Sequence, residues 1–203
     1  MIPQHLSITN EHFTPPHIVK RSIKLLGNID LDPASSNKGN YFINADSIFT
    51  KKEDGLSQQW WGNVFLNPPG GKIGNKSSQK QWFLKLFQEW SNSNIQRGLF
   101  IAFNLEIIRI CPECLQFPVC ILNDRPHYWS FNEEEGVYKP GQWDSTKTKW
   151  SDSPSHSTII IYLPTKLPPL GVSKYYLRKY YSNFVDEFSS IGKCYILNNL
   201  SEM

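Results

Sequence analysis

The feature that most restricts the fold of this chain is a series of short apolar runs of strand length set between segments of helical periodicity. Val64-Phe65-Leu66 and the runs at 99–103, 117–122 and 158–163 are compact, too short for helices and bounded by polar residues or proline, so they read as buried strands. Residues 29–31, ending in Asp32-Pro33, read as another short strand. Between them, Ile18, Val19, Ile23 and Leu26 share one helical face, broken only by Ser22 and stopped at Gly27. Trp82, Phe83, Leu86, Phe87 and Trp90 form an aromatic stripe at helical spacing, which reads as core packing. Tyr176, Leu177, Tyr180, Tyr181, Phe184, Val185 and Phe188 predict a final amphipathic helix before an edge strand at 194–197. Helices interleaved with short buried strands predict an α/β architecture, a mostly parallel sheet flanked by helices.

With 203 residues, 39% of them hydrophobic, the chain can bury one core, so 1–203 reads as a single domain rather than a disordered tail. Residues 123–157 break the pattern as a long polar, aromatic-rich loop or insertion. Its Arg125, His127, Tyr128, Trp129, Trp143, Lys147, Lys149 and Trp150 mix cations with flat rings, a composition suited to phosphates and unstacked bases and equally to an insertion packed on the surface. A net charge of +3 permits a phosphate-contacting face without requiring one. No apolar stretch approaches the roughly 18 residues of a membrane span, and Met1-Ile2-Pro3-Gln4-His5 lacks the regions of a signal peptide, so a cytoplasmic protein is expected. Cys111-Pro112-Glu113-Cys114 has ligand spacing, and Cys120 and His127 are conceivable further ligands. With no second well-spaced pair, the cysteines read as reduced structural thiols and no metal is expected.

The sharpest local signal is Phe65-Leu66-Asn67-Pro68-Pro69. Each proline fixes its own φ near −65° and forces the residue before it into an extended conformation, so the carbonyls of Asn67 and Pro68 are held in a rigid outward turn. An exocyclic amine is a poor nucleophile because its lone pair is delocalised into the ring. Two acceptors on its hydrogens favour the pyramidal nitrogen that attacks a sulfonium methyl, and Asn67 Oδ1 with the Pro68 carbonyl supplies both without a charged base.

Asn67-Pro68-Pro69 after a strand resembles the catalytic motif of S-adenosylmethionine (SAM)-dependent amino-methyltransferases. The wider pattern resembles the phage-type DNA adenine N6-methyltransferase family. The match takes in Phe13-Thr14-Pro15-Pro16, Asp30-Leu31-Asp32-Pro33-Ala34-Ser35, Asp54-Gly55-Leu56, Trp60 or Trp61, and Val64-Phe65-Leu66-Asn67-Pro68-Pro69 in fixed order over roughly residues 12–90, with weaker echoes at Pro118-Val119-Cys120, Arg125 and 155–160. The resemblance implies a Rossmann-like SAM-dependent methyltransferase fold, DNA as partner, and a bacterial or phage-infected host cell. It places Asp32, Pro33, Ala34 and Ser35 at a strand end beside the cofactor, with Asn37-Lys38-Gly39 supplying the turn, in place of the common Gly-x-Gly form. It implies that Thr14 and Pro15 close over the methionine end of SAM, and that Asp54 and Gly55 meet its adenine. Taken singly, Thr14 and Asp32 also read as helix caps and Asp54-Gly55 as a plain turn.

The family pattern has Tyr or Phe after the second proline, where this chain has Gly70-Gly71. That ring normally stacks on the flipped base; Phe103, Tyr128 and Trp129 are the candidates to replace it. Asn67, Pro68, Pro69 and Gly70 are thus the expected reaction centre, and Lys72, Lys76, Lys80, Arg125, Tyr128 and Trp129 the expected DNA contacts, although Gly70-Gly71-Lys72 also reads as a solvated loop. Adenine N6 is the expected acceptor. Asn-Pro-Pro chemistry leaves cytosine N4 and protein glutamine open, as well as a catalytically silent SAM- or DNA-binding protein.

Overall fold

The computed structural model describes residues 12–141, 143–144, 149–150, 156–166 and 174–196. Its elements in chain order are α1 (Pro16–Leu26), β1 (Leu31–Asp32), α2 (Asn40–Ile43), β2 (Ser47–Ile48), β3 (Gly62–Leu66), β4 (Lys72–Ile73), β5 (Lys76–Ser77), α3 (Ser78–Ser91), β6 (Ile95–Ala102), α4 (Glu106–Ile110), a 3-10 turn (Pro112–Gln116), β7 (Val119–Leu122), β8 (Trp129–Asn132), β9 (Val137–Pro140), β10 (Trp143–Asp144), β11 (Lys149–Trp150), β12 (Ile159–Leu163), α5 (Lys174–Phe188) and β13 (Gly192–Tyr195).

Seven strands form one sheet in the order β13-β7-β12-β6-β3-β1-β2. From β2 to β6 the neighbours are parallel; beyond β6 every pairing is antiparallel. The sheet is therefore mixed: β2, β1, β3, β6 and β7 run one way, the parallel core expected, and β12 and β13 run the other. The reason is β12, which enters in reverse between β6 and β7 and bonds along both its edges. An apolar run is equally long for a parallel or an antiparallel strand, so the sequence pattern is silent on its direction.

Both faces of the sheet are covered, which explains the continuous runs. On one face, Val64 and Leu66 of β3, Phe100 and Ala102 of β6, and Ile159, Ile161 and Leu163 of β12 pack with Trp82, Phe83 and Leu86 of α3. On the other, Phe65, Leu99, Ile101, Ile160 and Tyr162 pack with Ile18, Val19, Leu25 and Leu26 of α1 and Phe184 and Phe188 of α5. Successive residues of one strand feed opposite layers, as a period of two requires. Proline at the first turn starts α1, and Gly27 at φ 86° ends it. The Ser77 hydroxyl caps α3 by accepting from the Lys80 N–H.

Other sequence expectations move. β1 covers Leu31–Asp32 rather than 29–31, leaving Ile29 buried just ahead of it. β13 begins two residues before the expected edge strand, and position 197 lies outside the described residues. The long loop expected at 123–157 carries a hairpin, in which β8 and β9 pair antiparallel with Phe131 opposite Tyr138, their ring centroids 4.9 Å apart. Asn132 builds its turn, its Oδ1 accepting from the Glu134 and Glu135 N–H groups. These strands are only partly buried, so they lack the apolar run that marks a core strand. Lys147 lies outside the described residues. No helix among the described residues is long and apolar enough to cross a membrane.

Candidate functional site

After β1 the chain goes to β2 on one side of it and then to β3 on the other. The sheet order reverses between β1 and β3, and the crevice beyond the carboxyl ends of strands at such a reversal is where open α/β sheets bind ligands. Asp32 ends β1 and Asn67 follows β3, so both reach this edge.

Asp32 is 2% exposed. The Ala34 N–H donates to its Oδ1 at 3.1 Å, a local turn rather than a helix cap. Burial pushes its carboxyl up to about 7, with the Ala34 bond acting in the opposite direction. Ser35 lies near enough to favour the charged form, yet its buried hydroxyl has no partner of hydrogen-bond geometry. The Ser35 hydroxyl and the buried Asp32 carboxyl thus lie together at this strand end, a polar pair suited to a ligand bringing N–H or O–H donors.

Gly55 is seated against this strand end. A Cβ there would stand 2.0 Å from the Pro33 carbonyl oxygen, so only glycine allows the approach. Asp54 before it sits at φ 53° with its side chain exposed, and the buried Trp60 indole N–H donates to the Gly55 carbonyl at 2.7 Å. The turn reading of Asp54-Gly55 and its proximity to Asp32-Pro33 thus hold together.

Around Asn67 the bonding is specific. The Asn67 side-chain amide N–H donates to Thr14 Oγ1 at 2.9 Å, a bond joining residues 53 apart. Thr14 is 2% exposed and does not cap α1, whose N-cap position is Pro15. With Nδ2 engaged, Asn67 Oδ1 is the atom left to accept. The Pro69 carbonyl takes the Ser78 hydroxyl at 2.8 Å, and the Ser78 N–H donates to the Gly71 carbonyl at 3.0 Å. The Pro-Pro-Gly-Gly turn is thereby pinned to the start of α3, while no described residue donates to the Pro68 carbonyl. Ser78 was missed by the sequence reading; the Ser77-Ser78 pair before the Trp82 stripe is the capping signal that marks it.

Of the expected basic contacts, Lys72 and Lys76 are exposed on the β4–β5 hairpin that follows Gly70-Gly71, and Lys80 is partly buried on α3. What read as a solvated loop is thus a two-stranded ribbon. Arg125 is exposed after β7. Tyr128 is 6% exposed, and burial pushes its hydroxyl up to about 12, so its ring offers no open stacking face. Trp129 is partly buried and exchanges two backbone hydrogen bonds with Phe13, the residue before Thr14, at 2.7 and 2.9 Å. The β8–β9 hairpin is held here also by Tyr138, whose hydroxyl donates to the Lys38 carbonyl at 2.8 Å. Phe103, at the end of β6, stands against Gly70.

Among the described residues no group of three His, Cys, Asp or Glu side chains is placed to hold a metal. Cys111 and Cys114 are buried, their thiols pushed up to about 11 and 12 by desolvation, and Cys120 lies opposite Cys194 across β7 and β13. Comparison of the chain with family models, with curated proteins and with solved structures gave no significant match.

Proposed function

We propose that this protein is a SAM-dependent DNA methyltransferase acting on the exocyclic N6 amino group of adenine. One juxtaposition carries the reading: a buried carboxyl at Asp32 and a rigid acceptor turn at Asn67-Pro68-Pro69 stand at neighbouring strand ends on either side of the sheet reversal. SAM supplies an electrophilic methyl group on a positively charged sulfur. Asp32, with the unpartnered Ser35 hydroxyl, fits the donors and positive charge of that molecule, and Gly55 lets the 54–55 turn close against the same strand end. Asn67 Oδ1 and the Pro68 carbonyl accept the two hydrogens of the target amine, and Thr14 holds the Asn67 amide in the orientation that presents Oδ1. Lys72, Lys76 and Arg125 are exposed cations available for phosphate.

The test is direct. Purified protein is incubated with SAM and unmethylated DNA, the DNA is digested to nucleosides, and methylated adenine and cytosine are quantified by mass spectrometry, with Asn67→Ala as control. Methyladenine formed by the wild type and lost in the variant is the expected result. Methylcytosine instead moves the acceptor to N4. No methylated base from protein that calorimetry shows to bind SAM overturns DNA methylation, and the glycine at position 70 is the feature that would then favour a silent binder.

A further inference from the structure

We propose that Cys194 and Cys120 form a peroxide-sensitive dithiol, a site at which oxidation staples the edge strand β13 to β7. The proposal is independent of methyl transfer at Asn67. The two cysteines stand directly opposite each other on antiparallel strands, and the hydrogen bonds around them fix the kind of pair they make. The Asn123 N–H donates to the Ile191 carbonyl, one step past the pairing of Leu122 with Gly192, so 123 and 191 are a hydrogen-bonded pair. Such pairs alternate along the ladder, so 121 with 193 is bonded and 120 with 194 is not. The other edge of β7 agrees: the Leu122 N–H donates to the Thr158 carbonyl and the Tyr162 N–H to the Pro118 carbonyl, so the even-numbered residues bond toward β12. Across a non-hydrogen-bonded pair the Cα atoms stand about 4.5 Å apart, inside the roughly 4.4–6.8 Å that a disulfide spans. The sulfurs also share a face. A Cβ added at Gly192, two residues from Cys194, would collide with Cys120 Sγ, and Cys120 hydrogen-bonds to Cys194.

The two thiols differ in the way a redox pair requires. Cys194 is partly exposed, whereas Cys120 is sealed in with its Sγ 3.7 Å from the Phe188 carbonyl. The hydrogen bond from Cys120 holds the Cys194 thiol below its usual value, which favours the nucleophilic thiolate, while burial pushes Cys111 and Cys114 the other way. An accessible thiol of that kind beside a resolving partner is the arrangement that peroxide oxidises. The Cys194 thiolate takes one peroxide oxygen, the O–O bond breaks, and the departing hydroxide joins the Cys194 proton as water. The Cys120 sulfur then attacks the sulfenic sulfur, and the second hydroxide leaves with the Cys120 proton. Two thiols give up two electrons and two protons, and one peroxide becomes two waters.

The full chain is exposed to hydrogen peroxide, its remaining thiols are blocked with N-ethylmaleimide, and unreduced peptides are mapped by mass spectrometry. The expected result is a link between Cys120 and Cys194 that dithiothreitol reverses, with Cys111 and Cys114 carrying the maleimide. The link closes a long loop, so oxidised protein should melt about 4–16 °C above reduced protein. Cys194→Ser, at a partly exposed position, should show neither the link nor the shift. In Cys120→Ala the sulfenic acid on Cys194 has no resolving thiol and should be trapped by dimedone. Maleimide on all four cysteines after peroxide, a link confined to Cys111 and Cys114, or Cys194 oxidised beyond the sulfenic acid in the wild type without bonding to Cys120 overturns the proposal.

Discussion

β1 and β3 lie side by side, run the same way and hand over to proline, yet they end on opposite kinds of polar group. Asp32 is sealed in, and its environment so disfavours charge that its carboxyl rises to about 7. Asn67 is only partly buried, carries no charge and has one end of its amide tied to Thr14. A titratable group in a dry pocket gives a ligand site whose strength depends on pH. A neutral amide on a double-proline turn gives an acceptor whose geometry is fixed and whose chemistry does not titrate. On the proposed function the two strand ends divide the labour: binding at β1 and presentation of the reacting amine at β3.

The largest effect expected from breaking this division is at Asn67. Removing one preorganised hydrogen-bonding group from a reacting centre costs about 10²- to 10³-fold in kcat. Asn67→Ala should lose that much methyl transfer at every pH between 6 and 9 while binding SAM within about twofold of wild type, as read by radiolabel transfer and calorimetry. A variant that loses SAM binding in proportion would place Asn67 in the cofactor cradle instead.

Asp32→Asn tests the other strand end through pH. The carboxyl titrates near 3.8 in the unfolded chain and near 7 in the fold, so between these values the native state holds a proton that the unfolded state has released. The stability it contributes is fully present below about pH 4 and is lost as pH rises through 7. The slope should amount to something on the order of 3 kcal/mol at most and vanish in Asp32→Asn, measured by urea unfolding at pH 5 and pH 8. Donors on a bound ligand favour the ionised form, so SAM affinity of the wild type should rise from pH 6 to pH 8 and that of the variant should not. Equal pH profiles would remove Asp32 from the site.

Gly55→Ala sharpens the comparison by acting first on the β1 side, with Trp82 of α3 the next neighbour at 3.2 Å. Its methyl group must displace the Pro33 backbone, and such overpacking costs about 1–3 kcal/mol, which lowers Tm by about 2–4 °C per kcal/mol in a chain of this size. SAM affinity should fall with it, whereas binding of unmethylated DNA, read by fluorescence anisotropy, should survive. The smallest effect is expected at Thr14. Thr14→Val removes one neutral acceptor, worth about 0.5–1.5 kcal/mol, and should lower kcat severalfold with little change in SAM affinity, Thr14→Ser restoring it. If Thr14→Val instead weakened SAM binding and left kcat alone, the Thr14–Asn67 bond would have no orienting role.

Much of the fold was legible because burial on both faces writes itself into composition. The runs at 64–66, 99–103, 117–122 and 158–163 each fall largely within a buried strand, although β6 starts four residues early at Ile95 and β7 two residues late at Val119, and the Trp82-Phe83-Leu86 stripe lies on α3. The β8–β9 hairpin was not legible: its strands are partly exposed, and its Trp129 and Tyr138 rings pack edge-on against Phe13 and Phe42 from separate segments. Tyr128 and Trp129 read alike as candidate rings for stacking on a base, yet Tyr128 is buried. A loop sequence carries no period to tell which of two neighbouring aromatics is buried.

The sequence by itself determined the strand-length runs, the helix ends at Pro15-Pro16 and Gly27, and the stiffness of Asn67-Pro68-Pro69, because allowed φ angles and the spacing of apolar residues are properties of a residue and its near neighbours. Tertiary structure alone decided the reversed insertion of β12, the seating of Gly55 on Pro33, the Thr14 bond that holds Asn67, the burial that raises Asp32, and the close approach of Phe103 to Gly70. Each of these depends on which distant segments meet at the sheet edge, and contact across tens of residues is set by how the layers pack, a quantity no local window contains.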